Sequence, residues 1–317
     1  MKLEATVLPP AAPPAPEARP LRLREALAPD LVLLGIFGVA LTATMVHFRA
    51  VPSFLHGSTV LSLIAMVVLL AIGRKAAAQT LKLWAPLVLV LFVYSNFHDI
   101  TRLIHPMTVD HWLRDADLVL FGGEPTLWLQ SITVPWLTEL MTFAYALFFV
   151  FPLIVLVRLH VRGDQLAFRE VTLAFTLCFY FGLIGYLTVP AIGPRFTVVY
   201  EVPLTGYVLT DAAAAAWNTI EKVETDCFPS LHTAVSTISL VYLWRLRGLV
   251  RGRLLLGVCA PFIVMLWAST LYLRYHYTVD VLAGFGLAAI CVSLAPALTR
   301  IFYGRAGILG PTDLSLH

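Results

Sequence analysis

The sequence predicts an all-helical membrane protein, a polytopic bundle of about eight transmembrane helices. Of its 317 residues, 59% are hydrophobic and only 13% are charged, whereas a soluble globular chain carries roughly 25% charged residues. Apolar runs of membrane-spanning length recur along the chain, and Lys and Arg gather in alternate connections. This composition excludes a cytosolic enzyme, a disordered chain and a protein that binds nucleic acid through a basic face.

The predicted spans begin near Asp30, since a transmembrane helix needs about 20 largely apolar residues. Residues 1–29 form a Pro/Ala-rich tail that cannot build a packed core. The eight apolar runs cover residues 30–48, 54–73, 80–97, 136–158, 168–189, 230–247, 253–273 and 277–298. The chain therefore divides into three N-terminal helices (30–97), a membrane core (136–300) and a second tail (301–317).

The positions of the 22 Lys and Arg predict how the chain is oriented. With the N-terminus in the cytoplasm, most of them lie in cytoplasmic segments, as the positive-inside rule requires. Those on the opposite side are Arg49, Arg102, Arg114, Arg195, Lys222 and Arg274. Both termini are therefore predicted to be cytoplasmic.

Two long connections lie on the predicted non-cytoplasmic side. Residues 98–135 mix apolar, aromatic and charged side chains, which is typical of short amphipathic helices in the membrane interface. Within them, Asp99 and Arg102 could contact a lipid headgroup, although an ordinary polar membrane boundary accounts for them equally. Residues 190–229 form a second long connection, and such connections are usually functional or disordered.

A first polar group lies where this second connection enters the sixth span, at Pro229-Ser230-Leu231-His232. Ser is a preferred helix cap, and the free N–H groups of a helix N-terminus suit a phosphate. His232 would lie in the first turn and face whatever binds there. An interfacial histidine without a catalytic role is the alternative, and the neighbouring Cys227 is interpreted as a packing residue.

A second polar group lies between the last two spans. His276 and Asp280 are four residues apart, which on a helix places them on one face. A carboxylate beside an imidazole fixes the tautomer and leaves the other ring nitrogen able to attack an electrophile. The alternative is a structural pair that satisfies a buried carboxylate.

Two arginines could hold a phosphate on the same side of the membrane. Arg195 follows Gly193-Pro194, and Arg274 stands two residues before His276. A planar guanidinium binds phosphate through two parallel hydrogen bonds. An interfacial lipid anchor is the competing interpretation of each arginine.

Together these residues predict phosphoryl transfer at the non-cytoplasmic face. His276 would attack phosphorus and form a phosphohistidine, and His232 would protonate the leaving oxygen. Arg195, the N–H groups near Ser230, and Arg274 would hold the phosphate oxygens. The sequence lacks metal-ligand spacing, so we expect neither a metal nor another cofactor.

The motifs resemble those of a known family. P-S-L-H (229–232) and H-Y-T-V-D-V-L-A-G (276–284) are similar to the second and third signature motifs of the type 2 phosphatidic acid phosphatase superfamily, and G-P-R (193–195) resembles the first. The similarity covers residues 140–290. It implies a six-helix catalytic core, here with two extra N-terminal spans, and His/His/Asp catalysis at the membrane face.

Three departures from the phosphatase motifs refine this resemblance. Thr188 stands where a Lys is usual, Thr270 where an Arg is usual, and Leu231 where a Gly is usual. They favour the inositol phosphorylceramide synthase branch, with sphingomyelin synthases more distant. The resemblance then implies transfer of a phospho-headgroup from a phospholipid donor to a lipid alcohol. If water is the acceptor instead, the enzyme is a lipid phosphate phosphatase.

Overall fold

A computed structural model describes residues 107–213, 225–249 and 251–304, together with His105 and scattered positions between 80 and 101. The regular elements of these residues are helices, apart from one isolated bridge between Ala191 and Asp226, so the predicted all-helical class is confirmed. The predicted tails, most of the N-terminal helices (30–97), and both Asp99 and Arg102 lie outside the described residues.

The described part of the chain contains nine α-helices with defined ends, which take the labels α1 to α9 in chain order. They are α1 Asp110–Phe121, α2 Pro125–Leu129, α3 Pro135–Ala146, α4 Val150–Val161, α5 Gln165–Thr188, α6 Pro194–Thr197, α7 Leu231–Arg245, α8 Gly252–Tyr272 and α9 Thr278–Tyr303. A 3₁₀ turn at Leu147–Phe149 joins α3 to α4, and these form one apolar segment, Pro135–Val161.

Four helical segments in the described part of the chain are long and apolar enough to cross a membrane. They are Pro135–Val161, α5, α8 and α9, and each matches a predicted span. The predicted span 230–247 contains α7, whose 15 residues advance about 22 Å, less than the hydrocarbon thickness of about 30 Å. The structure thus supports a membrane protein with four candidate spans, while the predicted count of eight stays a prediction.

Helix α7 lies at the centre of the bundle, where it packs against α4, α5, α8 and α9. Its residues Ala234, Ile238 and Tyr242 recur at helical spacing and are fully buried. Its buried Ser239 hydroxyl donates to the Val235 carbonyl one turn earlier, so this polar group is satisfied inside the helix. The central position of α7 places its N-terminal end, where His232 lies, among its neighbours.

Two glycines allow helices to approach the start of α7 closely. A Cβ on Gly284 of α9 would lie 2.6 Å from the Ser230 carbonyl oxygen, and one on Gly182 of α5 would lie 2.6 Å from Leu231 Cδ2. Such separations are shorter than real Cβ contacts allow. At position 284 the obstacle is backbone, so glycine is required as the helices now lie, whereas at position 182 the Leu231 side chain would have to shift. Gly284 lets Ser230 N–H donate to the Asp280 carbonyl at 3.1 Å.

Helix α1 buries two acidic residues and exposes several large apolar ones, which is unusual for an amphipathic helix of a soluble protein. Asp110 and Asp117 are buried, whereas Trp112, Val119 and Leu120 are 59%, 84% and 59% exposed. Such a distribution suits a helix whose outer face meets lipid and whose inner face meets polar protein groups. The interfacial placement of residues 98–135 stays a prediction.

Candidate functional site

Helix ends converge on one place in the bundle, and they bring together residues that are far apart in the sequence. The N-terminal ends of α7 and α9 meet the turn 273–277 that follows α8, and α6 packs beside that turn. His232, Asp280 and Arg195 therefore lie at the same end of the molecule.

Ser230 and His232 open α7 as the sequence predicts. The Ser230 hydroxyl is buried and accepts from the Thr233 N–H at 3.3 Å, so it caps the helix. The His232 ring stacks on Tyr145 with 4.3 Å between centroids and contacts Phe148 at 4.4 Å. Its Nδ1 lies 3.4 Å from the Tyr145 hydroxyl. These aromatic rings fix the orientation of the imidazole.

His276 lies beside His232, with 5.7 Å between the ring centroids. Its Nδ1 is 2.9 Å from the Cys227 carbonyl oxygen and 3.6 Å from Asp280 Oδ2. The carbonyl is thus the nearer acceptor for Nδ1–H. Among the described residues, the hydrogen bonds of both histidine rings involve Nδ1, which leaves both Nε2 atoms available for chemistry.

The predicted helical pairing of His276 with Asp280 needs a correction. Helix α9 begins only at Thr278, so His276 lies in the turn before it. The two side chains still meet, because Asp280 reaches back to the helix start and accepts from the Tyr277 N–H at 2.8 Å. The pairing arises from a capped helix N-terminus rather than from neighbouring helical turns.

Asp280 is fully buried, and its two carboxylate oxygens have unequal surroundings. Oδ2 accepts from the Tyr277 N–H and, at 2.8 Å, from the Cys227 thiol. Oδ1 has no hydrogen-bond partner among the residues that the structure describes. A buried oxygen without a partner is uncommon and calls for an explanation.

Cys227 contributes more than packing, in contrast to the interpretation of the sequence. Its side chain is buried, its thiol donates to Asp280, and its carbonyl oxygen is the nearest acceptor for His276 Nδ1. Burial raises the pKa of the Cys227 thiol well above its ordinary range, and the neighbouring Asp280 carboxylate adds to that effect. The thiol therefore acts as a hydrogen-bond donor. Its place two residues before P-S-L-H is the sequence signal.

Arg195 and Arg274 differ in what they contact. The half-buried Arg195 donates from Nη1 to the Tyr275 hydroxyl at 3.1 Å, and Tyr275 stacks on Tyr145, which in turn stacks on His232. Among the described residues no carboxylate pairs with Arg195. The guanidinium of the buried Arg274 instead donates to the Val202 carbonyl and lies 3.8 Å from the Tyr200 ring centroid.

Thr188 and Thr270 stand where the phosphatase motifs have a Lys and an Arg, and neither residue replaces the missing cation. The Thr188 hydroxyl donates to the Ile184 and Gly185 carbonyls, and the Thr270 hydroxyl donates to the Trp267 carbonyl. Each hydroxyl is bonded within its own helix. Arg195 is therefore the described guanidinium best placed to hold an anion beside the two histidines.

Asp110 and Asp117, two helical turns apart on α1, hold both motif segments from outside. Asp110 accepts from the N–H groups of Ile192 and Gly193, which lie just before Pro194-Arg195. Asp117 accepts from the N–H groups of Thr278 and Val279 at the start of α9, and burial raises the pKa of its carboxyl. Neither carboxylate was predicted to be a site residue, although their seven-residue spacing places them on one helix face.

Comparison with known proteins agrees with this geometry. A model of the PAP2 superfamily matches residues 111–294, which include all three motif segments. Searches of curated proteins and of solved structures found no match to the chain.

Proposed function

This chain belongs to the PAP2 superfamily, and from that premise we propose that it transfers the phosphoryl or phospho-headgroup of a membrane lipid through a phosphohistidine on His276. PAP2 proteins are typically phosphatases or phosphotransferases that act on phosphoesters. The observation that carries the proposal is the pair of imidazoles 5.7 Å apart. A single phosphate can touch both rings at this separation.

The reaction begins with attack of His276 Nε2 on phosphorus. The bond from phosphorus to the leaving oxygen breaks, and that oxygen takes a proton from His232 Nε2. The Cys227 carbonyl, which accepts from Nδ1–H, stabilises the positive charge that develops on the His276 ring. Asp280 acts on the same edge of the ring at longer range.

The second step reverses the roles of the two histidines. The acceptor hydroxyl gives its proton to His232, and its oxygen attacks phosphorus and displaces His276. Arg195 and the backbone N–H groups of the first turn of α7 hold the phosphate oxygens in both steps. Arg274 stabilises the loop that carries Tyr200 and Val202. The proposed steps use side-chain and backbone groups of this chain and invoke no metal.

An apolar cavity beside His232 supports a lipid as the substrate. It has a volume of about 130 Å³ and includes Phe148, whose ring contacts His232, and Val235, one turn further along α7. Its lining residues are all apolar and include Leu87, Val90, Phe175 and Phe179. A hydrocarbon chain in this cavity would place its phosphate at the histidines.

We further propose that a lipid alcohol is the acceptor, as in inositol phosphorylceramide synthases, and that the site faces the non-cytoplasmic side. The Leu231 side chain packs at the site end of α7, where the phosphatase motif has glycine, and this apolar bulk favours exclusion of water. Hydrolysis by water is the second candidate, because the same phosphohistidine serves both acceptors.

The test compares membranes that contain the wild-type chain with membranes that contain the His276→Asn variant. Mass spectrometry of their lipids should show a new phospho-headgroup lipid in the wild-type sample only. Products that are only dephosphorylated would support the phosphatase alternative. Equal lipid profiles, with no acid-labile ³²P on the wild-type protein after exposure to labelled phospholipids, would contradict both.

A further inference from the structure

The buried cluster of Cys227, His276 and Asp280 has the donor atoms of a zinc site. The Cys227 Sγ lies 2.8 Å from Asp280 Oδ2 and 3.7 Å from His276 Nδ1, and that nitrogen lies 3.6 Å from Oδ2. Tetrahedral Zn²⁺ with bonds of about 2.0–2.3 Å separates its ligand atoms by roughly 3.3–3.7 Å. Two of the three separations fit, and the third has to widen by less than about 1 Å.

A second observation also indicates a cation. Asp280 Oδ1 is buried without a hydrogen-bond partner among the described residues. No Lys or Arg of those residues forms a salt bridge with Asp280. A nearby cation would compensate the buried carboxylate. Spacing in the sequence did not reveal this set, because folding brings Cys227 from one motif segment to two residues of another.

We propose that Cys227, His276 and Asp280 bind Zn²⁺ as an inhibitory site that overlaps the catalytic centre. Zinc would take Sγ, Nδ1 and Oδ2, with water or a substrate phosphate oxygen as the fourth ligand. Binding displaces the thiol proton to solvent, and the charge of the metal stabilises the thiolate that burial otherwise disfavours.

Inhibition follows from the tautomer that zinc requires. A metal on Nδ1 needs the lone pair of that nitrogen, so the ring proton moves to Nε2. A protonated Nε2 cannot attack phosphorus. This part of the inference depends on the proposed phosphohistidine mechanism, whereas metal binding itself does not.

The activity test uses the full chain in detergent, stripped of metal, with lipid phosphoester turnover measured during a Zn²⁺ titration. Inhibition should be reversed by a chelator, and Mg²⁺, which prefers oxygen ligands, should not inhibit. In Cys227→Ser the zinc concentration for half-inhibition should rise at least about 10- to 100-fold, the range reported for loss of even an outer-shell partner. Each variant is compared with its own zinc-free rate.

Cys259→Ser is the matched control, since Cys259 is a buried cysteine of α8 away from the cluster. It should keep wild-type zinc sensitivity. Equal zinc sensitivity of Cys227→Ser and wild type, or loss of sensitivity in Cys259→Ser, would overturn the proposal.

A spectroscopic test separates metal binding from catalysis. Co²⁺ added to the wild-type chain should give a thiolate-to-cobalt charge-transfer band that Cys227→Ser loses and His232→Asn keeps. A band without any lipid turnover would support the metal site and contradict the proposed function. Turnover without a band, or a band that persists in Cys227→Ser, would reject the metal site.

Discussion

Helix α7 carries a buried polar cluster near each of its ends, and the two clusters differ in how completely they are satisfied. Near its C-terminal end, the fully buried Glu170 of α5 lies 3.9 Å from Arg245 Nη1 and accepts from the Tyr242 hydroxyl at 3.4 Å. Arg245 also donates to the Val292 carbonyl at 3.2 Å. Acid, cation and hydroxyl compensate one another there.

The cluster at the N-terminal end keeps reactive atoms without such compensation. Nε2 of His232 and of His276 has no hydrogen-bond partner among the described residues, and neither does Asp280 Oδ1. The difference teaches that burial of an ionisable group alone does not mark a catalytic site in a membrane protein. Of these two clusters, the one at the N-terminal end is distinguished by imidazole nitrogens that the hydrogen bonds of the described residues leave available.

Among substitutions in the two clusters, His276→Asn should have the largest effect on turnover. It keeps a polar side chain near the Cys227 carbonyl but removes the nucleophile, so turnover should fall roughly 10⁴-fold or more. Turnover by the purified variant on its lipid phosphoester is the measurement. His160→Asn is the control, because His160 packs against Trp84 and Phe168 away from the site. Comparable turnover by both variants would contradict the proposed roles.

His232→Asn should reduce turnover by about 10²–10⁴-fold, the usual contribution of a general acid. The loss should shrink on a substrate whose leaving group departs without protonation, such as a nitrophenyl phosphoester. The ratio of the two rates, variant against wild type, is the quantity to measure. An equal loss on both substrates would argue that His232 acts by packing against Tyr145 rather than as an acid.

Asp117→Asn should have a smaller effect, because the side chain acts by position. Loss of a charged acceptor for the N–H groups of Thr278 and Val279 should lower the free energy of unfolding by about 1–3 kcal/mol. A slight displacement of His276 and Asp280 should then reduce kcat by about 10-fold with little change in KM.

Asp115→Asn is the matched control for that change, since Asp115 is exposed on the same helix. It should alter neither the thermal unfolding midpoint nor kcat. Were both variants to behave alike in the two measurements, α1 would not hold the motif segments in place.

Tyr242→Phe should have the smallest effect and would sharpen the contrast between the two ends of α7. It removes one long hydrogen bond to Glu170 while the Arg245 ion pair stays, so stability should fall by about 1 kcal/mol or less. Turnover should stay within about twofold of wild type. A large loss of turnover would mean that the C-terminal cluster is coupled to the chemistry.

Much of this site could be predicted from the sequence because its key residues stand at helix boundaries with recognisable chemistry. Pro229-Ser230 marks the start of α7, and Ser230 caps it as expected. His276 and Asp280 were expected on one helix, but His276 lies in the turn before α9 and Asp280 in its first turn. The carbonyl of Cys227 lies nearer to the imidazole than Asp280 does. A backbone acceptor that comes from a distant segment leaves no pattern in the local sequence.

The fold, like the site, could be predicted only where local sequence decides the structure. Four long apolar helices match predicted spans to within a few residues, because hydrophobicity and length alone decide them. The predicted span 230–247 is slightly longer than the 15-residue α7, because Ser230 caps the helix and residues 246 and 247 lie in the turn after it. The phosphate-binding role predicted for Arg274 also depends on tertiary contacts: its guanidinium turns to Val202 and Tyr200, partners some 70 residues away.

The contact between Leu231 and Gly182 has a consequence for how relatives of this chain diverge. The leucine side chain fills the space that a Cβ at position 182 would need. A homologue with glycine at position 231 has room for a bulkier residue at position 182. The residues at these two positions should therefore covary in an alignment. A homologue with bulky residues at both sites would need a different side-chain conformation at position 231 or a wider separation of α5 from α7, and the latter would shift the histidine that α7 carries.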